Sequence, residues 1–105
     1  MDYVYVWEFE VDEACREQFL HSYGPDGEWV ALFRQAAGYV GTTLLADAES
    51  PLRFLTLDRW RSREAQQQFA ERYRDDYARI DRLCESFTLR EACIGHFWAP
   101  AAAPL

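Results

Sequence analysis

The stretch RFLTLDRWRSREA, Arg53 to Ala65, changes its periodicity part-way along. Phe54, Thr56, Asp58 and Trp60 occupy alternate positions, the two-residue period of a strand. Ser62 is a good helix N-cap. Beyond it, apolar and aromatic residues recur at steps of four or three: Ala65, Phe69, Tyr73, Tyr77, Ile80, Cys84 and Phe87. The other face of that pattern carries Glu64, Glu71, Arg72, Arg74, Asp75, Arg79 and Arg82, which reads as a solvated helix face. A strand therefore feeds a long helix, with Trp60 at the junction.

Upstream, Tyr39 to Ala46 is strand-like and is joined to Leu52–Trp60 by the turn Asp47-Ala48-Glu49-Ser50-Pro51. So short a connection makes the pair an antiparallel hairpin. Further back, Tyr3, Tyr5, Trp7, Phe9 and Val11 alternate with Val4, Val6, Glu8 and Glu10, giving a first strand with one aromatic face. Asp12 caps a helical piece through Cys15, Phe19 and Tyr23, which Gly24-Pro25-Asp26-Gly27 breaks. A second piece runs from Glu28 to Ala36, with Trp29, Leu32, Phe33 and Ala36 as its apolar stripe, and Gly38 ends it. Thr88 to Trp98 returns to a strand pattern.

The order β-α-β-β-α-β implies an α+β fold: a ferredoxin-like sandwich with an antiparallel sheet and helices on one face. The 105 residues suit one domain, expected over residues 1–99, followed by a flexible Ala/Pro tail at 100–105. Leu44, Leu55 and Leu57 are assigned to the sheet face away from the helices. A second apolar face needs a cover, and a homodimer packed sheet against sheet supplies one.

Composition narrows the function. The net charge of -7 argues against nucleic acid or an anionic membrane as partner. No apolar run reaches the length of a membrane span, and the N-terminal stretch lacks the marks of a signal peptide. Cys15, Cys84 and Cys93 form no CxxC pair, which suits reduced thiols in a cytoplasmic protein. Cys93 and His96 have an odd separation, expected to send them to opposite strand faces; no metal site is expected. Phosphate-binding and nucleophile-elbow motifs are missing too. Four Trp, six Tyr and seven Phe exceed the needs of a small core, so some are expected to line a pocket or a subunit interface.

Several residues are candidates for chemistry. Tyr73 and Tyr77 lie one helical turn apart on the inward stripe, where their hydroxyls could orient a phenolic or quinone substrate; the alternative is a core face whose hydroxyls reach the edge. His96 could act as a general base, or it is a surface or dimer-interface histidine. Asp58 sits among apolar strand neighbours, as a raised-pKa acid or as an ion-paired strand end.

AAGYVGTTLLAD (Ala36–Asp47), PLRFLTLDRWRSREAQQQF (Pro51–Phe69) and REACIGHF (Arg90–Phe97) resemble the antibiotic-biosynthesis monooxygenase family, whose members are dimeric α/β barrels. The likeness spans nearly the whole chain. Gly38 before the second strand and the Trp60-x-Ser62 junction carry it, and they mark fold more than activity. The resemblance implies that Trp60 plugs one end of the core. It also implies a substrate between sheet and helices, with Trp7, Trp29, Phe33, Asp58 and Phe69 at the pocket beside Tyr73, Tyr77 and His96.

Family activities include cofactor-independent oxygenation of aromatic polyketides, quinol oxygenation and haem degradation. The Asn, Trp and His of the haem-degrading branch are unmatched here, where the corresponding positions give Trp7 or Glu8, Phe69 and Arg79. The chain contains no Asn, so an Asn-assisted oxygenase mechanism cannot operate. The expected function is a cofactor-free monooxygenase acting on an aromatic molecule. A non-catalytic ligand-binding module and an isomerase or cyclase on the same scaffold are the alternatives.

Overall fold

The structure, a computed structural model, describes residues 1–100. Its strands are β1 (Asp2–Val11), β2 (Tyr39–Asp47), β3 (Ser50–Trp60) and β4 (Thr88–Ala99). Its helices are α1 (Arg16–Tyr23), α2 (Glu28–Phe33), α3 (Arg63–Arg72) and α4 (Arg74–Cys84). The strands form one antiparallel sheet in the order β2-β3-β1-β4. This is the expected α+β, ferredoxin-like arrangement. Residues 101–105, most of the expected tail, lie outside the described residues.

Strand pairing builds the inner face. Tyr3, Tyr5, Trp7 and Phe9 of β1 lie opposite Trp60, Asp58, Thr56 and Phe54 of β3. The helices cover this face, and Phe9, Val11, Phe19, Phe33, Phe54, Trp60, Phe69, Ile80 and Cys84 are buried between the layers. Burial of these apolar side chains is the main stabilising term. Trp60, 2% exposed, packs against Phe33, Tyr39 and Phe69, with ring centroids 5.8, 5.4 and 5.0 Å away.

Local chemistry fixes the ends of the elements. Ser62 caps α3 by accepting the Ala65 N–H at 3.0 Å, and Asp12 caps the short 3-10 turn before α1 by accepting the Ala14 N–H at 3.0 Å. Gly38 has φ +89°, and a Cβ there would lie 2.6 Å from Ala65 Cβ. Glycine thus makes the turn into β2 and also lets α3 approach it.

Three expectations need correction. The single long helix is two, α3 and α4, with the backbone leaving helical geometry at Tyr73 (φ -107°, ψ 24°). The bonds Tyr73 N–H to Phe69 carbonyl and Tyr77 N–H to Tyr73 carbonyl bridge the joint, so the apolar stripe passes through unbroken. Cys93 and His96 share the inner face, opposite Trp7 and Tyr5. A bulge leaves Ile94 as an extra residue and restores equal parity across an odd separation. Leu44 also points inward, opposite Thr56, because a register shift between Tyr39 and Gly41 inverts the count along β2.

The outer face carries Val6, Leu55, Leu57, Leu45 and Phe97, the last two 44% and 52% exposed. Charges flank it. Glu8 binds Arg53 and Arg90 at one end, and Arg59 binds Asp2 at the other.

Candidate functional site

Two adjoining cavities lie between the helices and the inner sheet face, of about 200 and 280 Å³. Trp7 of β1, Asp58 of β3, Phe33 of α2 and Tyr77 of α4 line both, so the cavities adjoin across these four residues, here called the waist, and the two lobes together are called the cleft. The smaller lobe adds Phe9, Tyr23, Trp29, Val30, Thr42, Thr56, Asp81 and Glu91. The larger adds Tyr5, Trp60, Gln66, Phe69, Ala70 and Arg74. Ring-lined walls with a few polar groups are the ordinary make-up of a small-molecule site.

Asp58 is the polar group at the waist and is 9% exposed. Its Oδ1 accepts the Thr42 hydroxyl at 2.8 Å, and Thr42 is joined in turn to the Tyr39 hydroxyl at 2.6 Å. Among the described residues no cation pairs with it, and no donor reaches its second oxygen. Arg59, its sequence neighbour, serves Asp2 instead. Burial pushes the Asp58 carboxyl up to about 6 against the opposing pull of Thr42. At neutral pH it is a carboxylate with appreciable affinity for a proton. Burial likewise pushes the Tyr77 phenol up to about 12, so its hydroxyl remains a hydrogen-bond donor.

Of the eight residues singled out in the sequence, the cleft brings together six: Trp7, Trp29, Phe33, Asp58, Phe69 and Tyr77. Tyr73 stands apart, donating its hydroxyl to the Gln35 carbonyl at 3.2 Å. His96 also lines neither lobe. It sits on the same sheet face, with Nδ1 hydrogen-bonded to the Tyr3 hydroxyl and its ring stacked on Tyr5 at 5.1 Å.

Sequence reasoning missed Thr42, Asp81 and Glu91 in the smaller lobe and Gln66 and Arg74 in the larger. Asp81 was accessible to it, being one turn beyond Tyr77 on the same helix. Glu91 lies opposite Phe9 and follows only from the register of β4. Among the described residues no group of three His, Cys, Asp or Glu side chains is placed to hold a metal ion. No helix among them is long and apolar enough to cross a membrane.

Comparison with solved structures fits this geometry. SnoaB, a cofactor-independent oxygenase from Streptomyces nogalater, superposes with a TM-score of 0.70 at 18% identity, covering 99% of this chain and 98% of its own. A protein from Nitrosomonas europaea, provisionally described as an antibiotic biosynthesis monooxygenase, gives 0.74 at 14% identity, covering 98% and 94%. The chain has the antibiotic-biosynthesis-monooxygenase fold. A conserved protein from Methanosarcina mazei shares this fold, with a TM-score of 0.71 at 13% identity over 92% and 91% of the chains. No protein-family model and no curated protein matches the sequence. At these identities the likeness establishes the monooxygenase-type fold, and the chemistry has to be argued from the residues in the cleft.

Proposed function

We propose that the cleft binds a planar aromatic molecule, quinol- or polyketide-like, and that the protein oxygenates it without a cofactor. The observation that carries this reading is the buried carboxylate of Asp58, which pairs with no cation among the described residues, at the waist of a ring-lined cleft. Asp58 takes a proton from an activated ring carbon or phenol, and Tyr77 donates a hydrogen bond that orients the substrate oxygen. The electron-rich anion then reacts with molecular oxygen, while the aromatic walls hold it in place and exclude water. In an anthrone, the CH₂ carbon becomes a carbonyl and one oxygen atom leaves as water, so the substrate supplies all the electrons. His96 lies outside the cleft and is the alternative proton acceptor.

Oxygen uptake with an anthrone or a hydroquinone tests the reading. Asp58→Asn is expected to slow uptake at least about a hundredfold, and His96→Ala to leave it within a few-fold of wild type. The opposite pattern would transfer the role to His96. The absence of Asn favours a second reading, a binding module without turnover. In that case an aromatic ligand raises the melting temperature but consumes no oxygen. Turnover that persists without oxygen would indicate an isomerase or cyclase.

We also propose that the outer sheet face, with Val6, Leu55, Leu57 and Phe97, joins two copies of the chain as a homodimer. Leu57→Arg places a charge in the middle of that face, where it has no partner. Sedimentation is expected to show a dimer for wild type and a monomer for the variant. A wild-type monomer at micromolar concentration would refute the proposal.

A further inference from the structure

We infer that the cleft orients its ligand by charge, taking a cationic nitrogen at the Asp81–Glu91 end and oxygen acceptors at the Gln66–Arg74 end. The inference rests on the aromatic-ligand reading above and names the class of molecule that the site prefers.

The two lobes differ in polarity. The smaller is lined by Asp58, Asp81 and Glu91 and by no Arg or His side chain. Asp81 comes from α4, one turn beyond Tyr77, and Glu91 from β4, opposite Phe9, so the carboxylates belong to different layers of the fold. Among the described residues neither makes an ion pair. Burial raises the Glu91 carboxyl, and the nearby charge of Asp81 raises it further. A cation between them would relieve that repulsion. Trp7, Trp29 and Tyr77 line the same lobe, and aromatic rings attract cations as well as other rings.

Asp58 is the buried member of the three, 9% exposed, lining both lobes and accepting a hydrogen bond from Thr42 on one oxygen. The larger lobe shares Asp58 with the smaller and adds no further carboxylate among the described residues. Gln66 and Arg74 offer N–H donors there, and Arg74 has no ion pair among the described residues. A ligand spanning the waist therefore meets carboxylates at one end and donors at the other, and a ring carboxylate would be repelled from the smaller lobe.

Quenching of tryptophan fluorescence by three matched probes tests this at pH 7.5: 2-naphthylmethylamine, 2-naphthalenemethanol and 2-naphthoate. The amine is expected to bind at least about tenfold more tightly than the alcohol, and the carboxylate to be confined to the Gln66–Arg74 end. In Asp81→Asn/Glu91→Gln the amine-over-alcohol preference should collapse. If that double variant folds poorly, a salt titration of the wild type replaces it. The amine-to-alcohol affinity ratio should then fall as salt rises. An amine bound no more tightly than the alcohol, with the alcohol still bound, would overturn this inference and leave the aromatic cleft standing. Failure of all three to bind would overturn both.

Discussion

Asp58→Asn is expected to stabilise the protein at neutral pH while removing its turnover. The carboxyl is held at about 6, against an ordinary 3.8, because burial disfavours its charged form. The folded state therefore keeps a proton that the unfolded chain has lost. This group's contribution is full below pH 3.8, declines as pH rises and is gone above about 6. The loss amounts to about 3 kcal/mol. Asparagine removes the ionisation and keeps the shape, and its amide oxygen can still accept the Thr42 hydroxyl. After part of the gain is given back to burying the amide, a net of roughly 1–2 kcal/mol should remain. For a domain of this size that is about 5–10 °C.

Thermal melts from pH 4 to 7.5 provide the check. Wild type should lose stability relative to the variant as pH climbs from 4 through 6, so that the two curves cross and the variant, still carrying the cost of its buried amide, is the less stable near pH 4. Parallel curves would mean that Asp58 ionises normally, and its role as proton acceptor would go with that. If it is the acceptor, kcat/KM for wild type should rise with pH to a plateau above about 6.

Trp60→Ala has the largest expected effect on folding. The indole is packed against rings from α2, β2 and α3, so no single neighbour can fill the space it leaves. Removing a buried Trp costs about 3–5 kcal/mol, a large part of the 5–15 kcal/mol that holds a typical domain together. Urea unfolding should show the midpoint reduced accordingly, or no folded baseline at 37 °C. Trp60 also walls the larger lobe, so any folded fraction should bind aromatics more weakly. A loss below about 1 kcal/mol would show that the hairpin end and α3 are held together elsewhere.

The change of period at Trp60 and Ser62 was legible because one strand face and one helix stripe are both apolar. Most of the cleft followed, since inward positions on β1, β3 and the helices are fixed by spacing alone. The edge strands were not legible in the same way. Leu44 and the Cys93–His96 pair were misplaced by a single cause, an extra residue in β2 and in β4. Val40 and Ile94 are as apolar as their neighbours, so hydropathy continues smoothly across the bulges and leaves no mark. The joint at Tyr73 was hidden for a similar reason, because its bonds preserve the stripe. The ends of the cleft, at Glu91 and Arg74, look like ordinary surface charges until the layers are assembled.

Gly95 deserves its place in β4 for a reason that concerns the whole end of the molecule. Its φ of +156° is one that other residues rarely adopt, and a Cβ there would meet the Phe97 ring at 2.7 Å. If a larger residue abolished the bulge, the strand beyond it would slip by one place. His96 and Trp98 would then turn outward and Phe97 would turn toward Tyr3. Half a slip is impossible, because each side chain must point to one side of the sheet or the other. A single glycine thus works as a latch with two positions, deciding for His96, Phe97 and Trp98 at once which side of the sheet they take.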